Sequence, residues 1–174
     1  MRLFIAVCFD DNVKDSLCET ISTLNKHLAG GSATRRENLH LTLVFIGETT
    51  RAEAVKKAMN EIEACKFSLN IGGLGSFRQK DGRIYWIGVE KSDALLALYS
   101  RLKNSLCALG FKLESRPYEP HLTLFRRAVP GQGFDERSFV VKDIKTPVSK
   151  ISLMKSERIN GRLVYTEIYK KELS

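Results

Sequence analysis

The chain of 174 residues carries 28 lysines and arginines against 20 acidic residues, a formal net charge of +8. This length is enough to bury a sizeable core, and no run rich in proline, glycine or serine is long enough to act as a linker. The apolar stretch Leu3–Phe9 is too short to span a bilayer and lacks a small-residue cleavage site. We therefore expect a cytoplasmic protein without a membrane segment, acting as a monomer, whose basic surface attracts polyanions.

Apolar residues recur at helical spacing in three segments and alternate with polar residues in several others. Asp10 or Asp11 is placed to cap the first helix, Ser92 or Asp93 the third, and Gly110 follows the third helix, where positive φ is common. The pattern indicates an α+β fold with antiparallel strands and helices on the outer faces. The predicted elements are strand 2–9, helix 12–28, strand 39–46, helix 51–64, strands 67–71 and 84–89, helix 93–109, and strands 121–125, 138–141, 148–155 and 163–169.

The tetrapeptide His-Leu-Thr-Leu occurs twice, at 40–43 and 121–124, and includes two of the three histidines. In a strand, residues i and i+2 share a face, so each histidine lies beside its threonine while the leucines point the other way. The leucines are expected to anchor each strand, and the polar pairs to be presented together. The second copy begins 81 residues after the first. This spacing favours a single domain over residues 1–174, built from two similar lobes that each contribute one motif strand to a shared cleft.

The repeated histidine is the candidate catalytic group. The pKa of histidine lies near neutrality, so His40 and His121 in one site supply a general base and a general acid together. A single His-x-Thr segment is more often a strand with a structural histidine, and it is the repetition that favours catalysis. His27 lies in a helical pattern without such context, and we assign it to the surface or to packing.

Metal and disulfide sites are not predicted. The four cysteines show no C-x-x-C spacing and are too sparse for a disulfide scaffold, so we interpret them as buried thiols. With three histidines and no cluster of ligands, a zinc site is not expected. Any reaction is then expected to proceed by acid–base chemistry, without a metal or another cofactor. The cysteines are Cys8, Cys18, Cys65 and Cys107.

The segments around the two motifs resemble those of a known family. They are RLFIAV at 2–7, ENLHLTL at 37–43 with FIGE at 45–48, IYWIGV at 84–89, the second motif with Arg126, and LMKS at 153–156 followed by Gly161 and Tyr165. On these segments the chain resembles the 2H phosphoesterase superfamily and, within it, the bacterial and archaeal RNA 2′,3′-cyclic phosphodiesterases, also called 2′-5′ RNA ligases. The resemblance implies an α+β fold of two pseudo-symmetric lobes, each an antiparallel sheet with outer helices, around a central cleft that carries both His-x-Thr motifs.

The resemblance also implies an activity, which is the metal-independent hydrolysis of a terminal 2′,3′-cyclic phosphate on RNA to a 2′-phosphate. One histidine draws a proton from water and the other donates a proton to the departing 3′ oxygen. We assign His121 as the base and His40 as the acid, roles that exchange when the reaction runs in reverse. Thr42 and Thr123 are expected to donate hydrogen bonds to non-bridging phosphate oxygens, and Arg126 to bind the same phosphate. The partner is then RNA or a nucleotide that bears a 2′,3′-cyclic phosphate.

Two other hypotheses remain open at this point. Within enzymes, the same site is compatible with reversible 2′-5′ RNA joining, or with hydrolysis of 2′-5′ linked or small cyclic nucleotides. From another class, a non-catalytic RNA-binding module would keep the fold and the basic charge. A binding module needs no second histidine with its own threonine, so the motif pair favours an enzyme.

Overall fold

The computed structural model describes all 174 residues, which form nine strands and three α-helices. The helices are α1 (Asp11–Asn25), α2 (Ala52–Asn60) and α3 (Asp93–Ala108), and short 3₁₀ turns occupy Arg36–Asn38 and Glu136–Ser138. The strands are β1 (Arg2–Cys8), β2 (Leu28–Ala33), β3 (His40–Glu48), β4 (Phe67–Gln79), β5 (Gly82–Val89), β6 (His121–Pro130), β7 (Ile144–Val148), β8 (Lys150–Ile159) and β9 (Arg162–Glu172).

The strands form two antiparallel sheets, which confirms the predicted α+β class. A four-stranded sheet has the order β3-β1-β8-β9, and a five-stranded sheet has the order β2-β6-β5-β4-β7. The first motif begins β3, and the second begins β6. Each sheet therefore contributes one motif strand.

The two sheets share one hydrophobic core. A contiguous cluster of 33 buried apolar residues contains side chains from both sheets and from all three helices. The motif leucines belong to this cluster, so the helices lie on the side of the sheets opposite to the motif histidines and threonines. Burying one such leucine stabilises the fold by roughly 1.5–3 kcal/mol. The leucines are Leu41, Leu43, Leu122 and Leu124, each at most 2% exposed.

The predicted helix caps are present. The Asp10 side chain accepts a hydrogen bond from the Val13 backbone N–H at 2.9 Å, and Ser92 accepts one from Leu95 at 3.3 Å. Gly110 follows α3 with a φ of +81°, a conformation that only glycine adopts without strain. No helix of the structure combines the length and the apolar character needed to cross a membrane.

Several predicted elements differ in bounds or type, among them helix 51–64, which ends at Asn60, and strand 67–71, which continues to Gln79. The first helix ends at Asn25, and Leu28 instead begins β2, whose other five residues are exposed. Residues 138–141 form no strand, because the chain there leaves a 3₁₀ turn that is held by the ion pair of Glu136 with Arg83 at 2.9 Å. The predicted strand 148–155 is divided at Ser149 between β7 and β8.

The interpretation of the cysteines as buried thiols is also wrong. Cys65 and Cys107 are exposed, and Cys8 and Cys18 are half-buried. Cys8 lies directly opposite His40 in the β1–β3 pair. Burial raises the pKa of the Cys8 thiol, so this group is held in its protonated, weakly nucleophilic form.

Candidate active site

The two motif strands present their side chains in the same way. In the first six residues of β3 and of β6, the histidine and threonine are half-buried, three apolar residues are buried, and the sixth residue is exposed. We call the side of each sheet on which its histidine and threonine lie the motif face. The matching burial is the local basis of the predicted pseudo-symmetry.

A β-bulge follows each motif and changes which side chains reach the motif face. The register with the neighbouring strand shifts at Leu43 in β3 and at Leu124 in β6. An extra residue reverses the alternation of side chains beyond it. Phe45 and Arg126, the sixth residues of the two strands, therefore return to the motif face, although strict alternation would place them on the core side.

The Arg126 guanidinium is exposed and lies close to the first motif. Its charge lowers the pKa of His40, after the larger effect of burial, and it opposes the burial that raises the pKa of Tyr165. The next residue, Arg127, has a φ of +50°, a conformation that strains a residue with a side chain and is concentrated at functional sites. Arg126 of the second motif strand thus acts electrostatically on the histidine of the first.

Both histidines are oriented by the same hydrogen bond. The Nδ1–H of His40 donates to the Asn38 carbonyl at 2.7 Å, and that of His121 donates to the Glu119 carbonyl at 2.7 Å. A carbonyl oxygen only accepts, so the hydrogen of each neutral ring is on Nδ1. Each Nε2 therefore carries a lone pair. This nitrogen accepts a proton when the histidine acts as a general base, and donates a proton when the protonated ring acts as a general acid.

His40 is enclosed by aromatic rings. Its ring centroid lies 4.9 Å from that of Phe4 and 5.1 Å from that of Tyr165, which meets it edge-on. Burial in these surroundings lowers the pKa of His40, the hydrogen bond to Asn38 opposes this, and the charges of Arg126 and His121 lower it further. The free protein therefore favours neutral His40.

His121 has a second aromatic pair beside it, on the five-stranded sheet. Phe77 meets its ring edge-on at 5.3 Å, and the Trp86 ring lies 5.8 Å away at a tilt of 52°. Phe77 is 38% exposed, whereas Phe4 beside His40 is 4% exposed. The surroundings of His121 are therefore more open to solvent than those of His40.

The two threonines differ in their free-state contacts. Thr42 Oγ1 lies 2.9 Å from His40 Nε2, and since that nitrogen carries the lone pair, the threonine hydroxyl donates. Thr123 is half-buried beside His121, and its side chain forms no corresponding bond to the ring. A phosphate placed between the motifs would draw both hydroxyls as donors.

Two side chains hold the backbone of the motif strands. The Tyr118 hydroxyl, just before the second motif, donates to the carbonyl of Thr42 in the first at 3.0 Å. The Thr34 hydroxyl, just before the first motif, donates to the carbonyl of Thr123 in the second at 2.8 Å. Tyr118 is itself fixed by stacking on Tyr99 of α3, with ring centroids 4.2 Å apart. Tyr118 thus links the two lobes, whereas Thr34 extends the pairing of β2 with β6 within the five-stranded sheet.

All five site residues predicted from the sequence lie on the motif faces. The sequence reasoning missed the residues that surround and brace them, because an aromatic residue in a strand and a lone threonine carry no distinctive pattern. These are Phe4, Thr34 and Phe77, together with the bracing role of Tyr118 and the contact of Tyr165 with His40. The structure contains no group of three or more His, Cys, Asp or Glu side chains that could hold a metal ion.

Comparison with known proteins extends these observations. A model of the 2′-5′ RNA ligase superfamily matches residues 13–160. An RNA 2′,3′-cyclic phosphodiesterase of Thermotoga maritima is 32% identical over 98% of this chain and 92% of its own length. The crystal structure of Escherichia coli LigT complexed with 3′-AMP superposes with a TM-score of 0.81 at 26% identity, covering 99% of this chain and 98% of that one. A protein of Thermus thermophilus, TT0787, gives a TM-score of 0.78 at 26% identity, with coverage of 99% and 98%.

Proposed function

Because the chain belongs to the 2′-5′ RNA ligase superfamily, we propose that it hydrolyses the terminal 2′,3′-cyclic phosphate of RNA to a 2′-phosphate, without a metal ion. The observation that carries this proposal is the pair of histidines, each held by an Nδ1 hydrogen bond so that Nε2 is available. Its relative from Thermotoga maritima is named an RNA 2′,3′-cyclic phosphodiesterase. The site residues are His40 and His121 for proton transfer, and Thr42, Thr123 and Arg126 for the phosphate.

The proposed reaction needs one neutral and one protonated imidazole. Water attacks phosphorus as its proton passes to Nε2 of the base, the bond from phosphorus to the 3′ oxygen breaks, and the acid protonates that oxygen. The negative charge that grows on the non-bridging oxygens is stabilised by Thr42, Thr123 and Arg126. Guanidinium suits this place because it donates two parallel hydrogen bonds to phosphate.

We propose His121 as the base and His40 as the acid. In the free protein, burial favours neutral His40, which by itself supports the opposite order. A phosphate anion beside Nε2 stabilises the protonated ring, so in the proposed order the substrate anion and a proton bind to the protein together. When a 5′ hydroxyl takes the place of water, the same base and acid join a 2′-5′ bond, and the two roles exchange when that bond is cleaved.

The assay that tests the activity is hydrolysis of a short RNA with a 2′,3′-cyclic phosphate end, followed by identification of the phosphate position in the product. His40→Ala and His121→Ala are each expected to lower turnover by about 10²- to 10⁴-fold. Both variants should remain folded, which circular dichroism and melting temperature check. EDTA should leave wild-type activity unchanged. Product with a 3′-phosphate, or turnover above a third of wild type in either variant, would contradict the proposal.

The order of the roles has its own test. A nucleoside phosphodiester with a 4-nitrophenolate leaving group needs no acid, because that anion departs unprotonated. We expect His40→Ala to recover most of its lost activity on this ester, and His121→Ala to remain inactive. Recovery by His121→Ala instead would show that His121 is the acid and His40 the base, and would leave the proposed activity unchanged.

Substrate, assembly and location complete the proposal. The formal net charge of +8 supports RNA as the substrate, since such a surface attracts the phosphate backbone. We propose that the protein acts as a monomer in the cytoplasm. Light scattering at the protein concentration of the assay measures the oligomeric state, and fractionation of cells tests the location.

A further inference from the structure

Beside His121, a strip of the five-stranded sheet consists of glycines, and the Asp143 carboxylate lies over one of them, Gly72. Gly88 pairs directly with His121 across β5 and β6. A Cβ atom on Gly88 would lie 3.1 Å from the carbonyl oxygen of Gly72, and a Cβ atom on Gly72 would lie 2.2 Å from Oδ1 of Asp143. We call this strip, from His121 over Gly88, Gly72 and Gly73 to Asp143, the glycine trough. It crosses three strand spacings, about 14 Å, which is comparable with the length of a nucleotide.

The glycine trough has an aromatic wall and a polar wall. Trp86 stands two residues before Gly88 on the same face, and its ring lies 3.6 Å from the Cβ position of Gly88. On the other side, Asn70 donates to Glu90 at 2.6 Å, and Lys145 pairs with Asn70 across β4 and β7. A cavity of about 550 Å³ lies against the polar wall and is lined by Gly72, Gly88 and Asp143 as well, and its volume is within the range of small-molecule sites.

The other sheet has no counterpart of the glycine trough. The residue opposite His40 is Cys8, whose side chain occupies the place that Gly88 leaves bare. The motif face beyond it is filled by a separate cluster of Phe4, Ala6 and Met154, each less than 10% exposed. Two similar motifs therefore have different neighbours, and only the His121 side offers room for a flat group next to the reacting phosphate.

The charge of the glycine trough is opposite to that of the whole protein. Asp143, Glu90 and Lys145 line it, so that its carboxylates outnumber its one cation, although the chain has a formal net charge of +8. Two carboxylates repel a phosphate backbone and accept hydrogen bonds from N–H groups. The lining thus suits a nucleobase rather than a further phosphate.

We propose that the glycine trough is a nucleobase subsite that prefers guanine, with Asp143 accepting from N1–H and the N2 amino group, and Lys145 donating to O6. This inference rests on the proposed function, because the cyclic phosphate between the histidines fixes where the base lies. Gly88 and Gly72 place no side chain of their own under the ring, and the Asp143 carboxylate, which lies over Gly72, meets the edge of the ring. A carboxylate pairs with two adjacent N–H donors, as it does with arginine.

The other bases match this lining less well. Adenine lacks the N1–H donor and presents an amino group where guanine has O6. Its amino group and the Lys145 ammonium are both donors, so they form no hydrogen bond with each other. Cytosine and uracil are smaller and present a single donor group to Asp143. A matched bidentate pair discriminates between bases by about 1–3 kcal/mol, which corresponds to roughly 5- to 150-fold.

The test compares wild type with Asp143→Asn on five substrates. These are the 2′,3′-cyclic phosphates of guanosine, adenosine, cytidine and uridine, and that of 1-O-methylribose, which has no base. We expect wild type to favour guanosine over adenosine by at least about fivefold in kcat/KM, and Asp143→Asn to lose this preference while keeping its activity on the base-free substrate. Asp81→Asn, an exposed acid in the β4–β5 turn, is the matched control and should change nothing. Equal kcat/KM for all four nucleosides in wild type would overturn the guanine preference.

A second variant tests the subsite independently of guanine. Gly72→Val fills the glycine trough, and the atom that it meets is the end of the Asp143 side chain rather than backbone. We expect it to lose at least about tenfold in kcat/KM on all four nucleosides and to stay within twofold of wild type on the base-free substrate, which also shows that it is folded. Unchanged activity on nucleosides would overturn the subsite.

Failure of the proposed function gives a different result. If wild type hydrolyses none of the five substrates, the phosphodiesterase proposal fails, and guanosine 2′-monophosphate then serves as the probe in NMR titrations. Chemical-shift changes of the Gly72 and Gly88 amides on addition of this nucleotide, absent in Asp143→Asn, would support the nucleobase subsite even without the activity. The absence of shifts there would remove the subsite as well.

Discussion

His40 and His121 make the same Nδ1 hydrogen bond, yet they differ in how much charge their surroundings tolerate. The rings of Phe4 and Tyr165 bury His40, and burial lowers its pKa. Phe77 beside His121 is partly open to solvent. Two residues with identical local sequence therefore have different surroundings, a distinction that the tetrapeptide itself does not contain.

The lowered pKa of His40 predicts a pH dependence of stability. The unfolded chain takes up a proton near the ordinary value of 6.5, whereas the folded chain resists it. The unfolded state then binds more protons, so the free energy of unfolding falls as the pH drops below 6.5. Between pH 7.5 and 5.5, wild type should lose more stability in urea than His40→Asn, with a slope difference of at most about 1.4 kcal/mol per pH unit. Parallel losses in the two proteins would contradict the burial of this ring.

The threonine hydroxyls should act mainly in the transition state. Thr42→Val and Thr123→Val keep the shape and remove the donor, and each should lower kcat/KM by roughly 10- to 1000-fold. Thr42→Val should also raise the pKa of His40, because the neutral ring loses the hydroxyl that donates to Nε2. NMR titration of the histidine C–H signals measures this. Wild-type kinetics in both variants would show that the hydroxyls play no part in the reaction.

At the scale of the strand, the sequence predicts the motifs but not the bulges. Alternation over His40–Leu43 and over the second copy correctly places the leucines in the core. The same alternation would have put Arg126 on the core side. This residue was identified by the resemblance to the family and not by the alternation of side chains. The register shift at Leu124 moves it back. A bulge depends on pairing with a neighbouring strand, which a local sequence window does not record.

At the scale of the element, the bond from Tyr118 to β3 predicts a positioning effect on catalysis. Tyr118→Phe should lower kcat more than it raises KM, because the bond to the Thr42 carbonyl sets the first motif relative to the second. The loss of stability should be about 0.5–1.5 kcal/mol, as for one hydrogen bond. Tyr169→Phe is the matched control, since its hydroxyl bonds to Asn60 away from the motifs, and it should change stability alone. Equal effects of the two variants on kcat would remove the positioning role of Tyr118.

At the scale of the molecule, the missed elements are those that depend on distant pairing. β2 has a single apolar anchor, Leu28, followed by small exposed residues, and it is held by pairing with β6. β7 contains Pro147, which argues against an interior strand, and it forms the edge of the five-stranded sheet. The positions of the helices were predicted better than those of β2 and β7. The apolar faces of the helices all enter the one core, and the helical spacing of apolar residues is visible within a short stretch of sequence.

The net charge of +8 gives a prediction for the whole surface. A long RNA contacts basic side chains along its backbone and releases counterions, whereas a mononucleotide contacts only the site. KM for an RNA of about 12 nucleotides with a cyclic phosphate end should therefore rise more steeply with salt than KM for a mononucleotide cyclic phosphate. Arg126→Ala should weaken both substrates by a similar factor, because its charge acts on His40, where we propose that the reacting phosphate binds, and Arg126→Lys should recover little of the loss. Equal salt slopes for the two substrates would show that the backbone of a longer RNA makes no contact with the basic surface, and would favour a small cyclic nucleotide as the substrate.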